Sequence, residues 1–422
     1  MTSPHRPTSR TITTLVGWGI GLQAFGAIYR PEVLGFFAAS PGVLLLGMAA
    51  LLSLPEALEH GTALRAWLLL GWGLVASLPA ALVFGWSSLY AAKVVPLLIL
   101  SISWMAPLLC LRALTVSMVR TAVISGIAIS LLGYVVSDLQ PTLLPDALRA
   151  LIFGGGYDVY HDSRPRAFMT ETSHFAALLG RYALVLMLIS EAGRSYSAIR
   201  LLSGIGVITV GLFLTESKGA ALSMAVTLLL TATGRRGLPY TVLLVPAAWF
   251  LIDSQIDAIG IDIENFTSTS TRVGLWLAAV AAMSVNPIGW GYYGFYGAIE
   301  RFGSWSMDQL SGLPFLFTEL ETIVSELISV SFKSTLADFG VVYGWPFWFF
   351  LAYVLRRIDL SDLRVRCAVA YLALSGASTA GHESVGMFLG LAVLVRFYPR
   401  HVHAAQPVKP ELAPTNQRAV PS

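Results

Sequence analysis

The sequence predicts an all-α polytopic membrane protein of about 12 transmembrane helices, with a large structured periplasmic loop that contains an interfacial helix. Three observations predict it. Hydrophobic residues make up 55% of the 422 residues and charged residues only 12%, against ~25% charged in an ordinary soluble domain. The apolar residues come in runs long enough to cross a hydrocarbon core of about 30 Å, which takes ~20 helical residues. The basic residues are shared unequally between alternate connections, as they are around membrane spans. The same composition, with a mean hydropathy of +0.70, excludes a disordered chain. Two cysteines, Cys110 and Cys367, cannot make a disulfide scaffold, so helix packing alone holds the fold.

The apolar runs lie at about 11–29, 33–54, 66–88, 91–111, 119–136, 173–192, 198–216, 219–233, 238–252, 335–355, 366–380 and 383–399. The first follows Arg6 and Arg10 and imitates a signal peptide, but the many later runs mark it as a retained helix. With both ends in the cytoplasm, the cytoplasmic connections hold Arg6, Arg10, Arg65, Arg112, Arg120, Arg194, Arg200, Arg235, Arg236, Arg356, Arg357, Arg364, Arg366, Arg396, Arg400, Lys409 and Arg418. The other side holds fewer: Arg30, Lys93, Arg149, Arg164, Arg166, Lys218, Arg272, Arg301 and Lys333. This is the usual positive-inside bias, and it makes the chain a multi-pass membrane protein; the resemblance described below implies that the membrane is the bacterial inner (cytoplasmic) one.

The organisation that follows is a cytoplasmic N-terminus over 1–10, helices over 11–252 with a periplasmic loop near 137–172, a large periplasmic loop over 253–334, helices over 335–400 and a disordered cytoplasmic tail over 401–422. The large loop is rich in Trp, Tyr, Phe and Gly, as in Gly289-Trp-Gly-Tyr-Tyr-Gly-Phe-Tyr-Gly297, so it is expected to fold. Loops of such length in a compact protein are usually functional. Its apolar segment 272–285 rises only about 21 Å as a helix. It is therefore expected to lie in or against the outer leaflet; a crossing there would turn the Arg-rich segment 356–366 outward.

Few residues can carry chemistry. A charge near the bilayer centre costs ~2.5–3.5 kcal/mol on insertion scales and normally faces a cavity or a partner, which singles out Arg181. Glu171, His174 and Arg181 are spaced to share one helical stripe that descends from the outer surface. A packing pair with an acid is the competing reading for Arg181, and a buried structural histidine the competing reading for His174. Lys218, in Thr215-Glu-Ser-Lys-Gly219, sits at the outer end of two runs, as a site or as a solvated turn. Thr269-Ser-Thr-Arg272 opens the interfacial helix with hydroxyls at cap-like positions. Free N–H groups and the helix dipole there favour an anion, and an arginine adds a five-donor fork suited to phosphate; anchoring at headgroup level is the alternative. Lys333 and Asp338 lead the tenth run inward, and Arg164 and Arg166 precede Glu171. Basic groups from four separate places thus converge on one face of the membrane, as binding a lipid diphosphate from outside requires. There is no P-loop, Rossmann glycine pattern, HExxH motif or Cys/His ligand spacing. No cofactor, metal or nucleic acid is expected.

Four stretches, in order, resemble the bacterial O-antigen polymerase and O-antigen ligase superfamily. Arg166-Ala-Phe-Met-Thr-Glu171-Thr-Ser-His174 is similar to the polymerase "R…G…E-x-S…A", Thr215-Glu-Ser-Lys218-Gly-Ala to "S-R-G-A", Arg272-Val-Gly-Leu-Trp276 with Pro287-Ile-Gly-Trp-Gly291 to "R…LW…P-x-G-x-G", and Leu336-Ala-Asp-Phe-Gly340-Val-Val-Tyr-Gly344 to "L…E-x-G-x-x-G". Lys218 replaces the family's second arginine, keeping charge and losing the bidentate fork. Ligases of the superfamily carry a histidine in the late loop; this chain has none between His174 and His382, which favours the polymerase branch.

The resemblance implies a metal-independent, inverting glycosyltransferase at the periplasmic face that polymerises undecaprenyl-diphosphate-linked oligosaccharide repeats into O-antigen or exopolysaccharide. It implies Arg272 and Lys218 on the diphosphate, Arg166 and Arg181 as second-rank binders, and Glu171 as base with His174 as alternate. Arg164, Lys333 and Asp338 would border the substrate. The implied partners are the lipid-linked substrates, the bilayer, a chain-length regulator and a flippase. The alternatives are O-antigen ligase, transferring glycan to lipid A core, and a lipid-linked oligosaccharide flippase, whose site would lie nearer the midplane.

Overall fold

The computed structural model describes residues 8–25, 40–139, 167–168, 172–192, 197, 204, 208, 227, 264–310, 331–379 and 384–400. Within them the chain is helical, with no strand. The runs expected at 198–252, the first long loop apart from 167–168, and the tail after 400 lie outside the described residues.

The α-helices of nine residues or more among the described residues are α1 (Thr8–Leu22), α2 (Pro41–Leu52), α3 (Gly61–Phe84), α4 (Ser88–Leu109), α5 (Val116–Gly133), α6 (Thr172–Glu191), α7 (Glu264–Val285), α8 (Gly291–Leu310), α9 (Thr335–Tyr343), α10 (Trp345–Arg356), α11 (Leu363–Ser378) and α12 (Ser384–Phe397). Among the described residues, four helices are long and apolar enough to cross a membrane: Gly61–Phe84, Ser88–Leu109, Val116–Val136 and His174–Glu191. Pro41–Leu52, Thr271–Val285 and Ser384–Phe397 are shorter apolar helices. Leu78, Leu82 and Trp86 are 70%, 87% and 82% exposed. So large an apolar surface left uncovered on one flank is what a lipid solvent permits and water does not.

Charge is segregated along the bundle. Arg112 pairs with Glu59 at 2.7 Å, Gly61 abuts Tyr353 and Arg357, the Arg400 amide donates to Arg357 O, and Arg364 holds Asp362 at 2.6 Å and Glu191 at 3.7 Å. These contacts gather Arg65, Arg112, Arg356, Arg357, Arg364 and Arg400 at one end. Lys93, in the first turns of α4, lies toward the end of that helix opposite Arg112. The free Cys110 and Cys367 are both buried toward the Arg-rich end.

In the described part of 253–334, α7 and α8 form a helical hairpin, and α7 runs into the bundle toward the middle of α3. Trp276 reaches the last turn of α11, where its Nε1 donates to Ala377 O at 2.6 Å. The hairpin turn then arrives at the middle of α3, where Gly291 packs on Gly73 and Ser77 and Trp72 Nε1 donates to Ile288 O at 2.8 Å. From there α8 climbs along α3 past Ala80 to Phe84. The segment thus goes in and returns without crossing. One expectation about the late segment changes: the run expected as one helix over 335–355 is broken at Gly344 into α9 and α10.

The two breaks are one feature. The Trp290 amide donates to Val341 O at 2.8 Å and the Trp345 amide to Pro287 O at 2.7 Å, so the hairpin turn and the broken helix satisfy each other's backbone halfway along α3, the longest candidate span, where hydrocarbon would offer no other partner. The approach is close enough to exclude side chains. Gly344, at φ 62, would put a Cβ 2.2 Å from Pro287 O, and Gly289, at φ 95, would put one 2.5 Å from Val342 O.

Gly85 provides the matched control, since it shares the positive φ but has nothing within 4 Å of its would-be Cβ. We expect Gly85→Ala to cost only backbone strain, of order 1–3 kcal/mol, and Gly344→Ala to lose more by parting the two breaks. Unfolding midpoints of the detergent-purified variants check this; equal midpoints would show that the contact at Gly344 is not tight.

Candidate functional site

The chemistry-bearing residues that the structure describes collect at the end of the bundle away from the arginine cluster, where α6, α7, α9, α11 and α12 meet. Arg181 is fully buried on α6. Its Nε donates to Ser375 Oγ at 3.1 Å, and its Nη2 to Ser375 O and Thr379 Oγ1, both at 2.8 Å. A guanidinium is thereby spread over the last turn of α11, whose orphan carbonyls and negative dipole end favour a cation. The side chain has room because α12 presents a glycine: a Cβ at Gly386 would stand 3.0 Å from Arg181 Cβ.

Hydroxyls continue this polar seam. Thr335, at the start of α9, donates its amide to Thr379 O at 3.0 Å, and its Oγ1 lies 2.9 Å from Thr379 O and 2.8 Å from Ser384 Oγ. Ser334 caps α9 by accepting from the Ala337 amide and donates to Gly376 O. Five hydroxyl side chains, Ser334, Thr335, Ser375, Thr379 and Ser384, are buried here. Buried hydroxyls in an apolar bundle are stable only when bonded in this way.

Arg272 reaches the same place from α7. It is half-buried and stands one turn before Trp276 on the same helix face, the residue that binds Ala377 O. Arg272 thus lies one helical turn from the contact between α7 and the end of α11. His174, also half-buried, stands two turns above Arg181 on the same face of α6, about 10 Å away along the axis.

Lys333 and Asp338, five apart, are brought together by the loop into α9. Asp338 is buried and accepts from Ser331 Oγ at 2.7 Å and from the Phe332 amide at 2.6 Å. Ser331 Oγ in turn accepts from the Lys333 amide at 2.9 Å, and Lys333 sits at φ 56. A lysine in the left-handed region stores strain that its surroundings must hold. Asp338 thus fixes the backbone beneath Lys333.

Two further groups stand nearby. Lys93 is only 6% exposed and its Nζ lies 5.3 Å from the centroid of the Tyr296 ring. Tyr90 Oη donates to Glu300 Oε2 at 2.5 Å, tying α4 to α8. The signal for Lys93 was legible: a lone cation inside an apolar run is expensive unless it meets a partner. Nothing in spacing could have paired it with Tyr296, 203 positions away. Glu171, Arg164, Arg166 and Lys218 lie outside the described residues. No group of three or more His, Cys, Asp or Glu side chains able to hold a metal occurs among the described residues.

A Klebsiella pneumoniae protein described as an uncharacterized 49.5 kDa protein in cps region is 29% identical to this chain over 220 residues. The match covers 49% of this chain and 50% of that protein, so the chain spans about half the length of the relative it matches. No family model matches the chain, and no solved structure does.

Replacing Arg181 by Ala leaves Ser375 O and the Thr379 hydroxyl without this donor, at ~1–3 kcal/mol for each buried group left unsatisfied. The unfolding midpoint in detergent is expected to fall clearly for Arg181→Ala, less for Arg181→Lys, and also for Gly386→Val, which intrudes on the same side chain. An Arg181→Ala protein as stable as wild type would show that the guanidinium does not brace α11.

Proposed function

We propose that this chain polymerises lipid-diphosphate-linked oligosaccharide repeat units at the outer face of the membrane it spans, with the arginine-rich end of the bundle in the cytoplasm. The observation that carries the reading is the position of Arg272: a cation brought by a helical hairpin to the end of α11 that Arg181 already braces. The origin of the relative in a cps region agrees with a role in polysaccharide synthesis, and the four motif resemblances favour a polymerase over a ligase.

In the proposed reaction an acceptor sugar hydroxyl attacks the anomeric carbon of the donor glycan from the face opposite the diphosphate. The new C–O bond forms as the bond to the diphosphate breaks, and the leaving polyprenyl diphosphate takes the electron pair. The hydroxyl proton passes to a base, with Glu171 the first candidate and His174 the alternate. Negative charge grows on the leaving group during this step, so cations fixed beside it stabilise the transition state more than the ground state. Arg272 and Lys218 take that role. Arg181, saturated by backbone and hydroxyl acceptors, holds the frame; Arg164, Arg166 and Lys333 border the substrate.

A second reading, a lipid-oligosaccharide flippase, is favoured by one observation: paired helix breaks at mid-membrane depth are a transporter trait. The products separate the two. With Arg272→Ala we expect membrane insertion to persist while polymer disappears and single repeats reach the cell surface. Repeats stranded inside the cell would favour the flippase, and normal chain lengths would remove Arg272 from the site.

A further inference from the structure

At the arginine-rich end of the bundle, away from all the residues just discussed, α3 and α10 part to leave a groove of about 310 Å³ lined by Arg65, Leu68, Leu69, Trp72, Phe349 and Tyr353. Its walls are apolar and face the bilayer side of the bundle: Leu68 is 63% and Phe349 65% exposed. Its mouth is cationic. Arg65 lies over the Tyr353 ring, 3.6 Å from the centroid, and Arg357 lies 4.9 Å from the same centroid. Both guanidiniums are exposed, and neither is in an ion pair among the described residues. Between them Tyr353 Oη is buried and has no hydrogen-bond partner in the described structure.

The surroundings reinforce the demand for an anion. His60, which precedes α3 in the connection at this end, has its imidazole held below the usual histidine range, by burial first and then by Arg112, Arg357 and Arg396. Its Nδ1 is buried without a partner, like Thr62 Oγ1. Unpaired fork donors and an orphan hydroxyl above a greasy slot describe the two halves of one amphiphile.

We infer that this groove binds one acyl chain of an anionic phospholipid, with the lipid phosphate held between Arg65 and Arg357 and within reach of Tyr353 Oη. Guanidiniums suit phosphate because their fork matches its oxygens in pairs, and basic pockets between helices at a membrane surface are an established way to hold anionic head groups. A zwitterionic lipid offers the same chain but cancels the charge. A free phosphate offers the charge but leaves the apolar slot unfilled.

The site also touches the fold's central feature. Trp72, at the inner wall, is the residue whose Nε1 donates to Ile288 O in the hairpin turn, and α10 is the inner half of the broken helix. A chain in the groove packs against both and fills the gap that the break leaves beside α3. The lipid is therefore a structural ligand that holds α10 against α3, and it does not depend on which reaction the opposite end performs.

The test is native mass spectrometry of the full chain purified in detergent and titrated with phosphatidylglycerol or phosphatidylcholine of equal chain length, with the unfolding midpoint as a second readout. Phosphatidylglycerol is expected to remain bound at one copy per chain at about tenfold lower concentration than phosphatidylcholine, and to raise the midpoint as any ligand of the folded state does. Both effects should vanish in Arg65→Gln/Arg357→Gln, survive in Arg65→Lys/Arg357→Lys, and weaken in Leu68→Trp, which fills the slot and leaves the arginines. Equal retention of the two lipids, or retention unchanged in the double Gln variant, would overturn the site. Displacement of phosphatidylglycerol by millimolar inorganic phosphate would show a plain anion site in place of a lipid site.

Discussion

The structure depends on one constraint: a backbone polar group that lies among apolar side chains must find its partner inside the protein. Ordinary spans meet it helix by helix. Here two segments that abandon helical geometry halfway along α3 meet it together, through the Trp290 and Trp345 amides and the carbonyls of Val341 and Pro287. Each break would be untenable alone, because it exposes donors and acceptors to hydrocarbon. Joined, they form a seam that fixes α7, α8, α9 and α10 relative to α3.

Everything distinctive follows from that seam. The hairpin tip is anchored by Trp72 and by the close approach to Gly73, so α7 leaves it at a set angle and delivers Trp276 to the end of α11 and Arg272 one turn beyond. α9 leaves the other side of the seam and delivers Thr335 to Thr379 and Asp338 to the loop carrying Lys333. Bonds made halfway along α3 thus decide which polar groups meet near the ends of the bundle. Arg181 completes the frame by spending its donors on Ser375 and Thr379, which makes it a brace of the α11 terminus.

The two ends of the bundle present different electrostatics. One gathers arginines, several of them exposed, around a connection with buried and unsatisfied polar atoms. The other holds a few cations beside an aromatic ring, a hydroxyl or a helix end. A desolvated charge interacts far more strongly with its neighbours than one screened by solvent, so the two ends differ in the strength of their electrostatics as well as in the number of charges.

Much was legible in the one-dimensional pattern. Runs of apolar residues located α1 to α6 and α9 to α12, because helices in hydrocarbon announce themselves by length and composition. The arginines divided along the chain as they divide in space, because charge cannot be buried cheaply. That cost also singled out Arg181, which the structure buries against the end of α11. What length and hydropathy left undecided was depth. The segment 272–285 is as apolar lying at an interface as descending into a bundle, and Gly344 in an unbroken apolar run looks like any glycine. Only the tertiary structure brings Pro287–Gly291 against Val341–Trp345, and only that contact shows why glycines stand at both places: backbone hydrogen bonds between segments some fifty residues apart carry no local signature. Composition and charge decided that this chain lives in a membrane and which end carries the arginines; long-range backbone pairing decided where Arg272 and Lys333 are delivered.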